Sequence, residues 1–137
     1  MKKVLVTGGV GFVGSNLIKS LISKGYEVYS IDDYSSGSLK NELAEVKYIK
    51  MDILNISDLN ETFDICFHLA ARTLVQESFE RVDDYFSSNV SGTLNIAKWA
   101  SKKNIKLIYA GSASKHNNPR SSPYALTKFL GEEICKL

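Results

Sequence analysis

Tyr124 and Lys128 stand four residues apart in Tyr124-Ala125-Leu126-Thr127-Lys128. On a helix that spacing is about one turn, so a phenol and an ammonium share a face. A phenol with an ordinary pKa of ~10 is a poor base at neutral pH, and a neighbouring cation favours its phenolate. Such a pair can take a proton from a hydroxyl while a redox cofactor takes the hydride from the same carbon. Y-x-x-x-K alone is a common surface pattern, so its meaning depends on what lies upstream.

Upstream is Thr7-Gly8-Gly9-Val10-Gly11-Phe12-Val13-Gly14, a G-x-x-G-x-x-G run between an apolar segment and a helical one. Gly8 permits the tight turn, Gly11 lets backbone approach a pyrophosphate, and Gly14 lets the helix pack closely. The helix start then offers free N–H groups to phosphates. Asp32, eighteen residues after Gly14, closes a second apolar segment. Its carboxylate can accept from an adenosine ribose and repels a 2′-phosphate, which favours NAD over NADP. No Gly-Lys-Ser/Thr follows the turn, so it is not a P-loop.

The elements that must position these groups alternate. Short strands are expected at 4–6, 27–32, 46–51, 64–69 and 106–110. Helices are expected at 12–23, with Gly25 as its stop, at about 82–103, and at 123–137 with Ser122 as N-cap and Pro123 first. A short helix or turn lies at 56–62, and 34–40 and 114–122 read as loops. In the long helix, Tyr85, Phe86, Val90, Leu94, Ala97 and Ala100 mark one side. Strands alternating with helices give an α/β fold, a doubly wound three-layer sandwich around a five-stranded parallel sheet.

The chain has 137 residues, 44% hydrophobic and 23% charged, the balance of one globular domain over 1–137. Seventeen basic and fifteen acidic residues give a net charge of +2, too slight and scattered for a nucleic-acid surface. No apolar run is long enough to span a membrane, and Met1–Val6 lacks the cleavage site of a signal peptide. Cys66 and Cys135 fit neither a disulfide framework nor a zinc spacing, so reduced, largely buried thiols, no metal and a cytoplasmic location are expected.

Taken together, these motifs resemble the extended short-chain dehydrogenase/reductases, specifically the N-terminal Rossmann part of NAD-dependent sugar-nucleotide epimerases and dehydratases. The likeness runs from about Lys3 to Leu137. Asp32-Asp33 with Tyr34, Ser35, Ser36 and Gly37 resembles the adenosine-ribose segment, and Asp52-Ile53 the adenine pair. His68-Leu69-Ala70-Ala71, followed by Arg72, resembles the turn along the cofactor, and Asn89-Val90-Ser91-Gly92-Thr93 the long-helix motif.

The resemblance implies that Gly8, Gly11, Phe12, Val13 and Gly14 contact NAD with those segments, Asn89, Tyr124 and Lys128. Tyr124 would be the acid/base, Lys128 the partner of the nicotinamide ribose and the phenolate, and Ser112 the hydroxyl on the reacting sugar oxygen. Ser114 is a second candidate for that hydroxyl, and the remaining alternative is that both serines simply cap a loop. Eleven residues separate Ser112 from Tyr124, a shorter loop than the family's.

The family adds C-terminal strands and a small nucleotide-sugar domain after the Tyr124 helix, so the expectation is a truncated member. Three readings stay open: an enzyme acting on a nucleotide-sugar, a non-catalytic NAD-binding module, and one half of a split enzyme. Leu126, Phe129, Leu130, Ile134 and Leu137 form an apolar stripe that predicts association, and the resemblance implies a homodimer through this helix and the one at 82–103. His68 is expected to be structural, Trp99 to pack a helix, and Glu132-Glu133 to be a solvated face.

Overall fold

The first apolar run is buried on both faces: Val4, Leu5 and Val6 are all fully inaccessible. It forms β1 (Lys3–Thr7), the middle strand of the sheet in a computed structural model that describes residues 1–137. β2 (Glu27–Asp32) and β3 (Lys47–Lys50) lie on one side of it, and β4 (Ile65–His68) and β5 (Lys106–Tyr109) on the other. The order is β3-β2-β1-β4-β5, all parallel. Because the order reverses beside β1, a crevice opens at the carboxyl ends of the strands.

Thr7 registers with Ile31 on one side and His68 on the other, which sets Thr7, Asp32 and His68 at one rim.

α1 (Phe12–Ser23) covers one face of the sheet, packing Ile18 and Leu21 on Val4, Val6 and Val28. The other face carries Leu5, Tyr29, Ile31 and Cys66 under Ile96, Trp99 and Ala100. Trp99 is thus a core residue, its ring near Phe63, whose ring edge meets Tyr29. Ser30, fully buried on the α1 face, has a hydroxyl with no partner. A Cβ at Gly9 would stand 2.0 Å from it, so no larger side chain fits there.

The structure differs from the sequence reading in three places. The expected helix or turn at 56–62 is a 3₁₀ turn at Ile53–Asp58, begun by the Asp52 carboxylate accepting from the Leu54 amide at 2.9 Å. An additional helix, α2 (Val75–Glu80), fills the segment after β4.

The long helix is α3 (Val82–Tyr85), a π-helical stretch at Phe86–Gly92, and α4 (Thr93–Lys102). Its core-facing side is Tyr85, Asn89, Thr93, Ile96 and Trp99, whereas Leu94 is exposed and Phe86, Val90 and Ala97 only half-buried. The side follows its partners: Asn89 and Thr93 can be buried because every polar group they bring finds a hydrogen bond. The last helix, α5 (Pro123–Lys136), starts as expected, with the Ser122 hydroxyl accepting from the Ala125 amide at 3.0 Å.

Candidate functional site: a crevice at the switch point

The glycine turn is built by close approaches. Gly8 has a left-handed φ of 75°, and a Cβ on it would meet the Ala70 amide at 2.9 Å. At Gly14 a Cβ would stand 2.1 Å from the Gly8 carbonyl oxygen. At Gly11 it would meet only that oxygen, at 3.3 Å, which leaves open space before the turn. The amides of Phe12, Val13 and Gly14 donate to nothing in the chain, and no acidic residue occupies the first turn of α1. Unpaired donors at a helix start fit an anion.

Val10 ties this turn to the loop after β2. Its amide donates to Asp32 Oδ2 at 3.1 Å, and its carbonyl accepts from the Ser38 amide at 3.2 Å and Asn41 Nδ2 at 2.8 Å. Asp32 Oδ1 accepts from the Tyr34 amide at 2.9 Å. Burial raises the Asp32 carboxyl above the usual range, against the pull of its backbone donors. Asp33 accepts from the amide and hydroxyl of Ser35, at 2.9 and 2.6 Å.

A Cβ on Gly37 would strike Val10 Cγ2 at 2.4 Å, so glycine is needed for this loop to close. Tyr34, at a left-handed φ of 61°, turns away and donates to Glu42 in a separate hollow with Leu39, Tyr48 and Lys50.

The floor is set by Thr7 and His68. Thr7 Oγ1 accepts from the amides of Leu69 at 3.1 Å and Ala70 at 3.0 Å, so its own proton points at His68 Nδ1, 2.7 Å away. His68 Nε2 therefore carries the proton and donates to Thr93 Oγ1 at 3.0 Å. Burial, aided by Lys128, pushes the imidazole down to about 3, and it stays neutral. His68 is structural, as the sequence reading has it.

Asn89 fixes the next segment. Its Oδ1 accepts from the Arg72 amide at 2.8 Å, and its Nδ2 donates to the Arg72 carbonyl at 3.0 Å and Thr127 Oγ1 at 3.1 Å. With these partners and 1% exposure, Asn89 shapes the wall without facing the crevice.

A crevice of about 710 Å³ results. Gly8, Gly11–Gly14, Asp32, Asp33, Ser35–Gly37, Asp52, Ile53 and Leu69–Arg72 line it; Tyr34, Asn89, Tyr124 and Lys128 do not. Sequence reasoning missed the wall from α2 onward, where Glu77, Arg81, Asp84, Ser87 and Ser88 join Met51, Leu54, Thr73 and Leu74. Arg81 bridges Glu77 at 3.1 Å and Asp84 at 2.6 Å. Tyr85 shares its hydroxyl proton between the Leu74 carbonyl at 2.7 Å and Glu77 at 2.8 Å. The i, i+4 and i, i+3 charge spacing about Arg81 was the available signal.

Ser112, Tyr124 and Lys128 lie outside the crevice lining. Ser112 caps a 3₁₀ turn at Ala113–His116, its hydroxyl 2.8 Å from that of Ser114. Tyr124 is half-exposed, and its hydroxyl bonds to no group of the chain. Lys115 and Glu132, 2.6 Å apart, pin this loop to α5. Glu132 is thus 19% exposed and paired, where a solvated face was expected; Glu133 remains exposed. Cys66 is buried and Cys135 half-buried, both free. No helix is long and apolar enough to cross a membrane.

Lys128 is buried and donates to the Ala110 carbonyl at 2.6 Å. Burial pushes its ammonium down to about 8 from 10.5. Between those pH values the unfolded chain holds the extra proton, so stability rises with pH across that window and the charged form is a cost below it. Lys128→Met is expected to raise stability at pH 7 by about 1–3 kcal/mol and to flatten the slope between pH 8 and 10.5. Urea melts across that range test it; a less stable variant at pH 7 would show that the ammonium's contacts outweigh its burial.

A parallel sheet with its crevice at the strand-order reversal, entered by a glycine turn and an open helix start, defines a Rossmann-type domain. Residues 4–137 match the model of the NAD dependent epimerase/dehydratase family, and the chain belongs to that family. It is 32% identical to the UDP-glucose 4-epimerase of Neisseria meningitidis serogroup C, over 90% of this chain and 40% of that protein. It is 31% identical to the UDP-N-acetyl-alpha-D-glucosaminuronate decarboxylase of Bacillus cytotoxicus, over 98% of this chain and 49% of the relative.

The crystal structure of the Thermus thermophilus UDP-glucose 4-epimerase in complex with NAD superposes with a TM-score of 0.86 at 27% identity. The match covers 98% of this chain and 50% of that one. The chain spans about half the length of the curated relatives it matches.

Proposed function

We propose that this chain supplies the NAD site and the acid/base pair of an oxidoreductase of the epimerase/dehydratase type, acting on a nucleotide-sugar. The observation that carries the reading is the crevice itself: unpaired amides at Phe12–Gly14 stand behind a glycine whose missing Cβ leaves room for a diphosphate. Asp32, at the end of β2, keeps lone pairs free beyond its two backbone contacts and fits a ribose hydroxyl. Asp52 and Ile53 also line the crevice and fit the adenine.

NAD, when bound, supplies the hydride acceptor. Tyr124 then takes the proton of the sugar hydroxyl and returns it, with Lys128 one turn further along the same face of α5. Ser112 would donate to the reacting oxygen, its proton being free for that task when Ser114 donates in the contact between their hydroxyls. Lys128 keeps two donors beyond the one given to Ala110, enough for a ribose diol. Asn89 and Thr7 act earlier, holding Leu69–Arg72 in place along the crevice.

That Ser112, Tyr124 and Lys128 lie outside the crevice lining favours a second polypeptide stretch completing the substrate side. Calorimetric titration with NAD and NADH, then turnover on UDP-sugars with and without Tyr124→Phe, tests the reading. Saturable binding together with a loss of turnover of at least ~100-fold in Tyr124→Phe is expected. Absence of any heat on titration would remove the NAD reading. Binding without Tyr124-dependent turnover on any UDP-sugar would leave a non-catalytic NAD-binding module.

A homodimer through 82–103 and 123–137 accompanies the proposal. Leu126, Phe129, Leu130 and Ile134 are only half-buried and Leu137 is exposed, beside Phe86, Val90 and Leu94. Sedimentation at micromolar concentration is expected to give twice the chain mass, and a single monomeric boundary would remove the dimer. A cytoplasmic setting fits the two free thiols.

A further inference from the structure

The strip of α5 that bears Tyr124 and Lys128 continues through Gly131 to Cys135, positions that recur on one face of a helix. Tyr109, at the end of β5, packs against it. The Lys128 ammonium stands 4.3 Å from the centre of the Tyr109 ring while donating to the Ala110 carbonyl at 2.6 Å. Tyr109 Oη in turn donates to the backbone carbonyl of Lys128 at 3.2 Å. His68 braces the ring, their centroids 5.7 Å apart.

The arrangement requires Gly131, because a Cβ there would stand 2.4 Å from Tyr109 Oη and 3.0 Å from Cζ. One aromatic side chain therefore touches Lys128 at both ends, its face against the ammonium and its hydroxyl on the main chain.

No carboxylate shares this task. His68 is neutral, the Cys135 thiol is pushed up by burial, and Glu132 is engaged by Lys115 and Lys136. A buried ammonium without a counter-charge is costly, and an aromatic face offsets part of that cost.

We propose that Tyr109, seated in the gap left by Gly131, is a positioning residue that fixes the Lys128 ammonium at the Ala110 carbonyl and so sets where it works beside Tyr124. Its functional meaning rests on the reading of Lys128 given above; the positioning itself is measurable without it.

The test follows the Nζ resonance of Lys128 against pH in the full chain labelled with ¹⁵N-lysine, assigned by its loss in Lys128→Met. Tyr109→Leu is expected to lower the proton affinity of Lys128 by roughly three- to thirty-fold. Tyr109→Phe keeps the ring and is expected to change it less than about three-fold. Gly131→Ala displaces the ring and reproduces the Tyr109→Leu change, and adding Tyr109→Phe to Gly131→Ala restores part of it. An unmoved titration in folded Tyr109→Leu and Gly131→Ala would overturn the proposal.

The wild type gives a check that needs no variant. Its Lys128 ε-methylene protons should be shifted upfield by the ring, and an ordinary lysine position would also overturn it. Adding NAD to the same samples separates the two readings. A Lys128 signal that answers to Tyr109→Leu but not to NAD upholds the positioning and removes the cofactor role. One that answers to NAD but not to Tyr109→Leu does the opposite.

Discussion

Gly14→Ala is expected to abolish measurable NAD binding, weakening it by at least about 100-fold, or roughly 2.7 kcal/mol, and to destabilise the fold by about 2–4 kcal/mol. The new methyl would sit 2.1 Å from the Gly8 carbonyl oxygen and 2.8 Å from Gly9 Cα, both backbone atoms that no rotamer change can move aside. Either α1 retreats from the turn or the turn opens. In both cases the amides of Phe12 and Val13 lose their aim.

Gly25→Ala is the matched control. Gly25 has a φ of 79° and nothing within 4 Å of its would-be Cβ, so the change costs only the strain of a left-handed alanine, about 1–2 kcal/mol. NAD affinity should be untouched. Calorimetric titration and urea melts on both variants make the comparison. Equal loss of affinity in the two would show that general destabilisation, and not the close approach at Gly14, governs the crevice.

Asn89→Ala is expected to cost about 2–4 kcal/mol. Three hydrogen bonds vanish at once: the part-buried amide and carbonyl of Arg72 lose their partner, and the buried Thr127 hydroxyl keeps only the bond it donates to the Tyr124 carbonyl. The damage spreads because those partners sit on separate pieces, the crevice wall and α5. Asn89→Asp should be no better, since a second acceptor would then face the Arg72 carbonyl where a donor stood. Urea melts measure the loss, and amide hydrogen exchange at Ala71–Thr73 reads the wall directly. A cost under about 1 kcal/mol, with protection at Arg72 retained, would mean that the wall is held by other contacts.

Much of the crevice is legible in the sequence because its signals are local. The glycines at 8, 11 and 14, the bounds of α1, and the Ser122-Pro123 start of α5 each depend on neighbours a few residues away. What escapes depends on distant partners. α2 has no capping side chain at Leu74 and exposes Val75 and Phe79, so neither a start signal nor an apolar face announces it. The buried side of the long helix is hidden because Asn89 and Thr93 look like surface residues until Arg72, Thr127 and His68 are brought against them. Glu132 reads as solvated for the same reason, its partner Lys115 lying seventeen residues earlier.

The wide π-helical stretch at Phe86–Gly92 carries a consequence for how this protein can vary. It joins two lengths of helix that answer to different neighbours: Tyr85 to Leu74 and Glu77 before it, Thr93 and Trp99 to His68 and Leu59 after it. A π-helix takes about one more residue per turn than an α-helix, so removing a single residue there would let an ordinary helix run through with the helices on either side close to their present orientation. Trp99 would stay over Leu59 and His68 would keep its acceptor, and only side chains within Phe86–Gly92 would be re-aimed. The stretch is therefore where this helix can lose one residue, and a single deletion within it should leave a folded variant whose losses fall on the contacts of Asn89.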